Sequence, residues 1–233
     1  MARMLGELLD LVVPRSCAGC GAETVTLCAD CAAGLDSPLI SQVPRYGTRT
    51  VVAAGEYAGV LRAGLVGYKE HDRRDLVRIL GLLLARAVVG ALEARPLAAL
   101  PVLLVPVPSA RRAVRRRGAD HVAALAAQAA LVLGAEGLRA RPAPVLEVRA
   151  HRDQVGFGAR QRRRNVRGSH GLRPGTGAVV ARWPGRARIV LVDDIATTGA
   201  TLAEAARVLV AAQAPPDACA VVALAPGGPR PPG

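Results

Sequence analysis

The sequence predicts an α/β protein, a parallel sheet covered by helices on both faces, with a small metal-binding module ahead of it. Three observations carry this. Strand-like and helix-like stretches alternate along most of the 233 residues, and the strands read as continuous apolar runs, the pattern of strands buried on both sides. Hydrophobic residues make up 51% of the chain but aromatics only 2%, so the core must be built from Ala, Val, Leu and Ile, which suits close helix–sheet packing. Four of the five cysteines sit in two closely spaced pairs near the N-terminus. Residues 1–45 are expected to form an N-terminal helix and the cysteine module, residues 46–226 the α/β domain, and residues 227–233 a disordered tail rich in Pro and Gly.

In order, MARMLGELLDLVVP reads as a short amphipathic helix, because Glu7 and Asp10 interrupt what would otherwise be a signal-like apolar run. After the cysteines, Pro38 and Pro44 punctuate a loop. TVVAAGEY (50–57) predicts a strand, AGVLRAGLVGYK (58–69) a helix, and residues 75–94 a second helix. Arg78, Arg86 and Glu93 break that longest apolar stretch, so it reads as a buried helix rather than a membrane span. VLLVPVP (102–108) is a strand ended by its prolines, GADHVAALAAQAALVLG (118–134) a helix, and APVLEVR (143–149) a strand. ARIVLVDD (187–194), TTGATLAEAARVLVAAQ (197–213) and ACAVVALA (218–225) close the domain as strand, helix and strand. With no export or membrane signal, a cytoplasmic location without membrane insertion is expected.

Cys17, Cys20, Cys28 and Cys31 form C-x2-C-x7-C-x2-C. Each pair sits on a tight turn, so four thiolates can converge as a closed tetrahedral site, the arrangement of structural zinc. Two disulfides or a redox Cys-x-x-Cys are the competing readings, the first disfavoured in a reducing cytosol and the second by the absence of a thioredoxin-type βαβ context. Cys219 lies in an apolar run and reads as a buried thiol packing as a small hydrophobe.

The segment IVLVDDIATTGAT (189–201) places two acids where an apolar strand ends. Open parallel sheets bind ligands at the carboxyl ends of their strands. The following turn runs into a helix N-terminus, where unpaired N–H groups and the positive end of the helix dipole favour phosphate. Gly199 permits close approach, and Thr197, Thr198 and Thr201 add hydroxyls. Carboxylates beside a phosphate cradle make sense if the phosphate is attached to a group with hydroxyls to donate. A ribose 5-phosphate fits, its phosphate in the loop and its diol on Asp193 and Asp194. A net charge of +13 also favours anionic partners, phosphorylated small molecules or nucleic acid.

This stretch resembles the phosphoribosyl-pyrophosphate loop of type I phosphoribosyltransferases. The four-cysteine knuckle, YKE (68–70), VPVPSARRAVRRRGAD (105–120), HRDQVGFGARQRRRNVRG (151–168) and DDIATTGAT follow one another in an order that resembles the ComF/GntX family over nearly the whole chain. The resemblance implies a type I phosphoribosyltransferase-like fold that binds 5-phosphoribosyl 1-diphosphate with Mg and transfers phosphoribosyl to a nitrogenous acceptor. Asp193 and Asp194 would then be the catalytic acids, and Ile195, Ala196, Thr197, Thr198, Gly199, Ala200 and Thr201 would bind substrate. Lys69, Arg160 and Arg164 would assist them, the two arginines at i, i+4 spacing in a segment that resembles the family's mobile loop. Where the family has an aromatic–Asn–Gln run after the RRG turn, Ala119, Asp120 and His121 stand here. Two basic clusters, Arg111, Arg112, Arg115, Arg116 and Arg117, and Arg152, Arg160, Arg162, Arg163, Arg164 and Arg167, could help hold the pyrophosphate. The alternative is a non-catalytic protein of the competence and DNA-uptake machinery, in which they and the zinc knuckle bind single-stranded DNA, or the knuckle docks on a competence helicase. Gln154 and Asn165 match family positions without an independent chemical role. His71, His121, His151 and His170 show no metal-ligand spacing and are expected at the surface or in caps.

Overall fold

The computed structural model describes residues 16–23, 25–46, 49–93, 100–109, 120–149 and 168–225. The expected N-terminal helix, the tail, both arginine clusters with Arg160 and Arg164, and Gln154, Asn165 and His151 lie outside them.

The elements are α1 (Ala29–Ala33), β1 (Ile40–Gln42), β2 (Val51–Glu56), α2 (Gly59–Glu70), a 3-10 turn (Arg74–Leu76), α3 (Val77–Leu92), β3 (Val102–Pro106), α4 (His121–Ala135), β4 (Ala140–Pro142), β5 (Leu146–Val148), β6 (His170–Leu172), α5 (Gly177–Val180), β7 (Arg188–Ala196), α6 (Ala200–Ala211) and β8 (Ala218–Leu224). The main sheet has the order β1-β2-β8-β7-β3-β4. Every pairing from β2 to β4 is parallel, while β1 closes one edge antiparallel, with Ile40 opposite Ala53 and Gln42 opposite Val51.

Apolar strands become a two-faced layer because alternate residues point to opposite sides. In β7, Val190 and Val192 enter one core with Leu65 of α2, Leu80, Leu84 and Val88 of α3, and Leu125 and Leu133 of α4. Ile189 and Leu191 enter the other, with Trp183 and with Leu202, Ala205 and Leu209 of α6. Small residues set the helix spacing, since a Cβ at Gly81 of α3 would run into Gln128 of α4. No helix among the described residues is long and apolar enough to cross a membrane.

The structure corrects several element boundaries. The strand expected over 143–149 is shorter, β5 at 146–148, and it pairs with β6 in a separate two-stranded antiparallel sheet. A further edge strand of the main sheet, β4 at 140–142, precedes it after a break. Pro142 and Pro144 explain the break, since proline lacks a ladder donor and is tolerated at an edge or between strands. The loop expected around Pro38 and Pro44 contains β1. His121 and His170, expected at the surface or in caps, are buried. His121 packs its ring on Tyr68, centroids 4.6 Å apart, and it is Asp120 that caps α4 by accepting the Ala123 N–H at 3.3 Å. His170 lies in β6 with Nδ1 2.8 Å from the Ser169 hydroxyl, and burial holds its pKa below the usual imidazole range.

Candidate functional site

β7 is an interior strand, flanked by β8 and β3, so side chains at its carboxyl end are shielded laterally by neighbouring strands. The sequence places Asp193 and Asp194 there, and both are buried, at 9% and 5% exposure. The strand does not stop at the acids as expected. Ile195 and Ala196 continue the ladder opposite Ala223 and Leu224, because the apolar run of β8 extends far enough to pair with them. Thr197 and Thr198 are exposed, and Gly199 takes a left-handed φ of +77° as N-cap of α6. The helix therefore begins at Ala200 rather than near Thr198, and Ala200 and Thr201 form its first turn. The predicted set 195–201 is thus one continuous strand end, turn and helix start. A side chain at Gly199 would be strained in that conformation. Gly199→Ala is expected to lower stability by about 1 kcal/mol, read as a small drop in melting temperature by calorimetry. An unchanged melting temperature would mean that the turn relaxes freely.

The two acids differ in their surroundings. Lys69, in the last turn of α2, places its ammonium 2.8 Å from Asp194 Oδ2. Asp193 Oδ1 accepts the Asp194 backbone N–H at 2.8 Å. Burial, and then the adjacent Asp194 charge, push the Asp193 carboxyl well above the usual carboxylate range, against the opposing pull of that N–H and of Lys69. The site therefore holds one carboxylate matched by a lysine and one carboxyl that resists ionising.

Tyr68 fastens Lys69 in position. Its hydroxyl donates to the His121 carbonyl at 3.1 Å, tying the end of α2 to the start of α4. Burial and the nearby Asp194 charge push the Tyr68 phenol up to about 12, so it stays a neutral donor. A second anchor lies further along α6. Glu204 accepts the Gly168 N–H at 2.7 Å and takes a two-pronged hydrogen bond from Arg207 at 2.8 and 2.7 Å. Burial pushes Glu204 upward, but the Arg207 and Gly168 hydrogen bonds outweigh it and hold the carboxyl below its usual range.

A further contact was not legible in the sequence. The Tyr46 N–H donates to the Thr198 carbonyl at 2.9 Å, bringing the segment after β1 onto the turn. Arg45 lies over the Tyr46 ring at 5.4 Å, and Pro44 beside it is buried. Residues so far apart in sequence carry no local signal of meeting.

The cysteine module is built from a turn and a short helix. Cys17 N–H donates to the Ala22 carbonyl at 2.7 Å and Gly21 N–H to the Cys17 carbonyl at 2.9 Å, so Cys17 and Cys20 share a tight turn. Cys28 stands just before α1, and Cys31 within it. All four sulfurs lie within 4.8 Å of one another, with Cys20 and Cys28 Sγ at 3.6 Å. A tetrahedron with metal–sulfur bonds of about 2.3 Å needs sulfurs about 3.8 Å apart, so the four can hold a metal ion. Cys17 Sγ already accepts the Gly19 and Cys28 N–H groups at 3.4 and 3.3 Å. Hydrogen bonding lowers Cys17 to about 6, while the thiol contact with Cys28, then burial, pushes Cys31 up to about 12. The thiols thus compete for negative charge, a conflict that a divalent cation resolves. Cys219 is buried in β8, and burial raises its thiol to about 11, in keeping with a packing role.

The module docks on α2: a Cβ at Gly19 would sit 3.1 Å from Val60 Cγ1. Beyond the far end of α2, Asp75 is held below its usual range, first by Arg73 and with help from the Thr26 hydroxyl of the module.

No family model matches the chain, and no match is found among curated proteins. The functional reading therefore rests on the site itself.

Proposed function

We propose that this chain is a ComF-like, type I phosphoribosyltransferase-type protein that binds 5-phosphoribosyl 1-diphosphate together with Mg and transfers the phosphoribosyl group to a nitrogenous acceptor. The supporting observation is the pair of buried acids on one interior strand that runs directly into a threonine–glycine turn and a helix start. Buried carboxylates without a full set of donors are costly, and a vicinal diol is a ligand that supplies donors to both at once. In this reading Asp193 and Asp194 accept from the ribose hydroxyls. The N–H groups and hydroxyls of residues 197–201 hold the terminal phosphate.

Lys69 balances Asp194 before ligand arrives, and its ammonium is within reach of the anionic ligand afterwards. As the bond at C1 stretches, the acid pair favours the positive charge developing on the ribosyl group, chiefly through Asp194 while Asp193 resists ionising, and no side-chain nucleophile is required. Magnesium arriving with the diphosphate would supply charge neutralisation for the leaving group. The four cysteines, close enough together to hold a metal ion, would take a structural zinc, closed to substrate because every ligand position would be filled by protein.

Isothermal calorimetry with the sugar diphosphate and Mg tests the reading. Wild type is expected to bind, and the Asp193→Asn/Asp194→Asn double variant to lose at least about tenfold in affinity, since hydrogen bonds to charged groups contribute about 1.5–3 kcal/mol each. A screen of nitrogenous bases for pyrophosphate release then identifies the acceptor. No heat from wild type at millimolar ligand, with salt-sensitive binding of an oligonucleotide instead, would favour a DNA-uptake role.

A further inference from the structure

The turn after β7 is held from outside by a segment that begins in the N-terminal half of the chain. Tyr46 donates its N–H to the Thr198 carbonyl at 2.9 Å. That segment is fixed in turn by β1, which is paired into the sheet edge, and by buried Pro44.

The hydrogen bond has a directional consequence. No cis peptide bond occurs among the described residues, so the Thr198 carbonyl and the Gly199 N–H point to opposite sides of one planar unit. Clamping the carbonyl toward Tyr46 turns the Gly199 N–H away from it, at the N-terminal end of α6. A turn of Thr and Gly with a left-handed residue has other orientations open to it, including ones that aim a carbonyl at the ligand. A carbonyl facing a phosphate repels it, whereas an N–H attracts it.

We propose that Tyr46 is a positioning residue for the phosphate monoester end of the ligand, acting through its backbone N–H to hold the 197–201 turn in the anion-accepting orientation. This deepens the sugar-phosphate reading above and rests on it. Because the clamp and the ligand favour the same peptide orientation, each strengthens the other. Ligand binding therefore tightens the Tyr46 contact.

The test uses the full chain and two probes, ribose 5-phosphate and inorganic pyrophosphate with Mg. Tyr46→Pro removes the donor, whereas Tyr46→Ala keeps it and removes the ring. Tyr46→Pro is expected to weaken ribose 5-phosphate about tenfold, the order of one hydrogen bond, with pyrophosphate unchanged. Tyr46→Ala is expected to stay within about twofold of wild type for both probes. Equal affinity of Tyr46→Pro and wild type for ribose 5-phosphate, or an equal loss in Tyr46→Ala, overturns the proposal.

If Tyr46→Pro does not fold, hydrogen exchange on wild type decides instead. The Tyr46 amide is expected to exchange more slowly with saturating ribose 5-phosphate, and an unchanged rate overturns the clamp. A wild type that binds the sugar phosphate while failing either criterion removes only the role of Tyr46. A wild type silent to ribose 5-phosphate and to the sugar diphosphate removes the sugar-phosphate reading, and the clamp with it.

Discussion

Asp193→Asn is expected to make the protein more stable and a poorer binder at once. The wild-type carboxyl is buried and raised well above its usual range by burial and by Asp194 beside it. Folding therefore favours its protonated form. The stabilising effect of that proton is full below the unfolded carboxyl's pKa and is lost as pH rises through the higher folded value. Asparagine is close in shape, keeps an oxygen to accept the Asp194 N–H now made at 2.8 Å, and has no charge to bury. Its advantage should be absent in acid and grow as pH rises, reaching about 1 kcal/mol or more near neutrality, equivalent to about 2–4 °C in melting temperature for a chain of this size. Affinity of the variant for the sugar diphosphate, relative to wild type, should fall as pH rises toward the raised Asp193 value, because wild type gains a carboxylate there and a neutral amide is a weaker acceptor. Melting curves across pH, paired with calorimetry, check both halves. A variant less stable than wild type at every pH would show that Asp193 has a structural role instead of holding strain for a ligand.

Loss of metal should have the largest effect on the N-terminal module. Among the described residues its buried groups include Cys17 and Cys31 themselves, and a segment this short cannot bury enough apolar surface to fold alone. Zinc bound to such sites contributes on the order of 10 kcal/mol to folding of the liganded segment. Atomic absorption on purified protein is expected to give one zinc per chain. Cobalt exchange should produce the thiolate charge-transfer absorption of a tetrahedral four-sulfur site. Cys28→Ser is expected to abolish stoichiometric metal, and chelation to lower the melting temperature. Metal should also be lost as pH falls, because protons compete for the same sulfurs. Since Gly19 abuts Val60 and Thr26 reaches Asp75, chelation should also loosen α2, visible as faster amide exchange along the helix that carries Lys69. Protein that carries no metal and gives no cobalt signal, with its cysteines recovered as two disulfides, would end the zinc reading.

Much of the fold was open to reading because its signals are local. β7 and β8 are apolar at successive positions, which in a strand means burial on both faces, and the helices on either side carry matching apolar stripes. The cysteine cluster was legible for the same reason, since two C-x-x-C turns fix sulfur pairs over a few residues. The errors came where pairing partners decide the outcome. Nothing in LEV states that β5 leaves the main sheet to pair with β6, and nothing in ISQ states that it closes an edge against β2. His121 and His170 read as ordinary polar residues because a histidine's burial depends on what other elements bring against it.

What the sequence determined by itself was chemistry and order: two acids ahead of a threonine–glycine turn, four thiols at metal-ligand spacing, and strands and helices in alternation. Lys69 was a named candidate, but only the folded chain brings it within 2.8 Å of Asp194, leaves Asp193 resisting ionisation, and lays Tyr46 against the turn at Thr198. The reason is physical. Propensity and spacing act over a few residues along the backbone, whereas the charge state of a buried acid and the orientation of a peptide plane are set by groups that distant segments deliver in three dimensions.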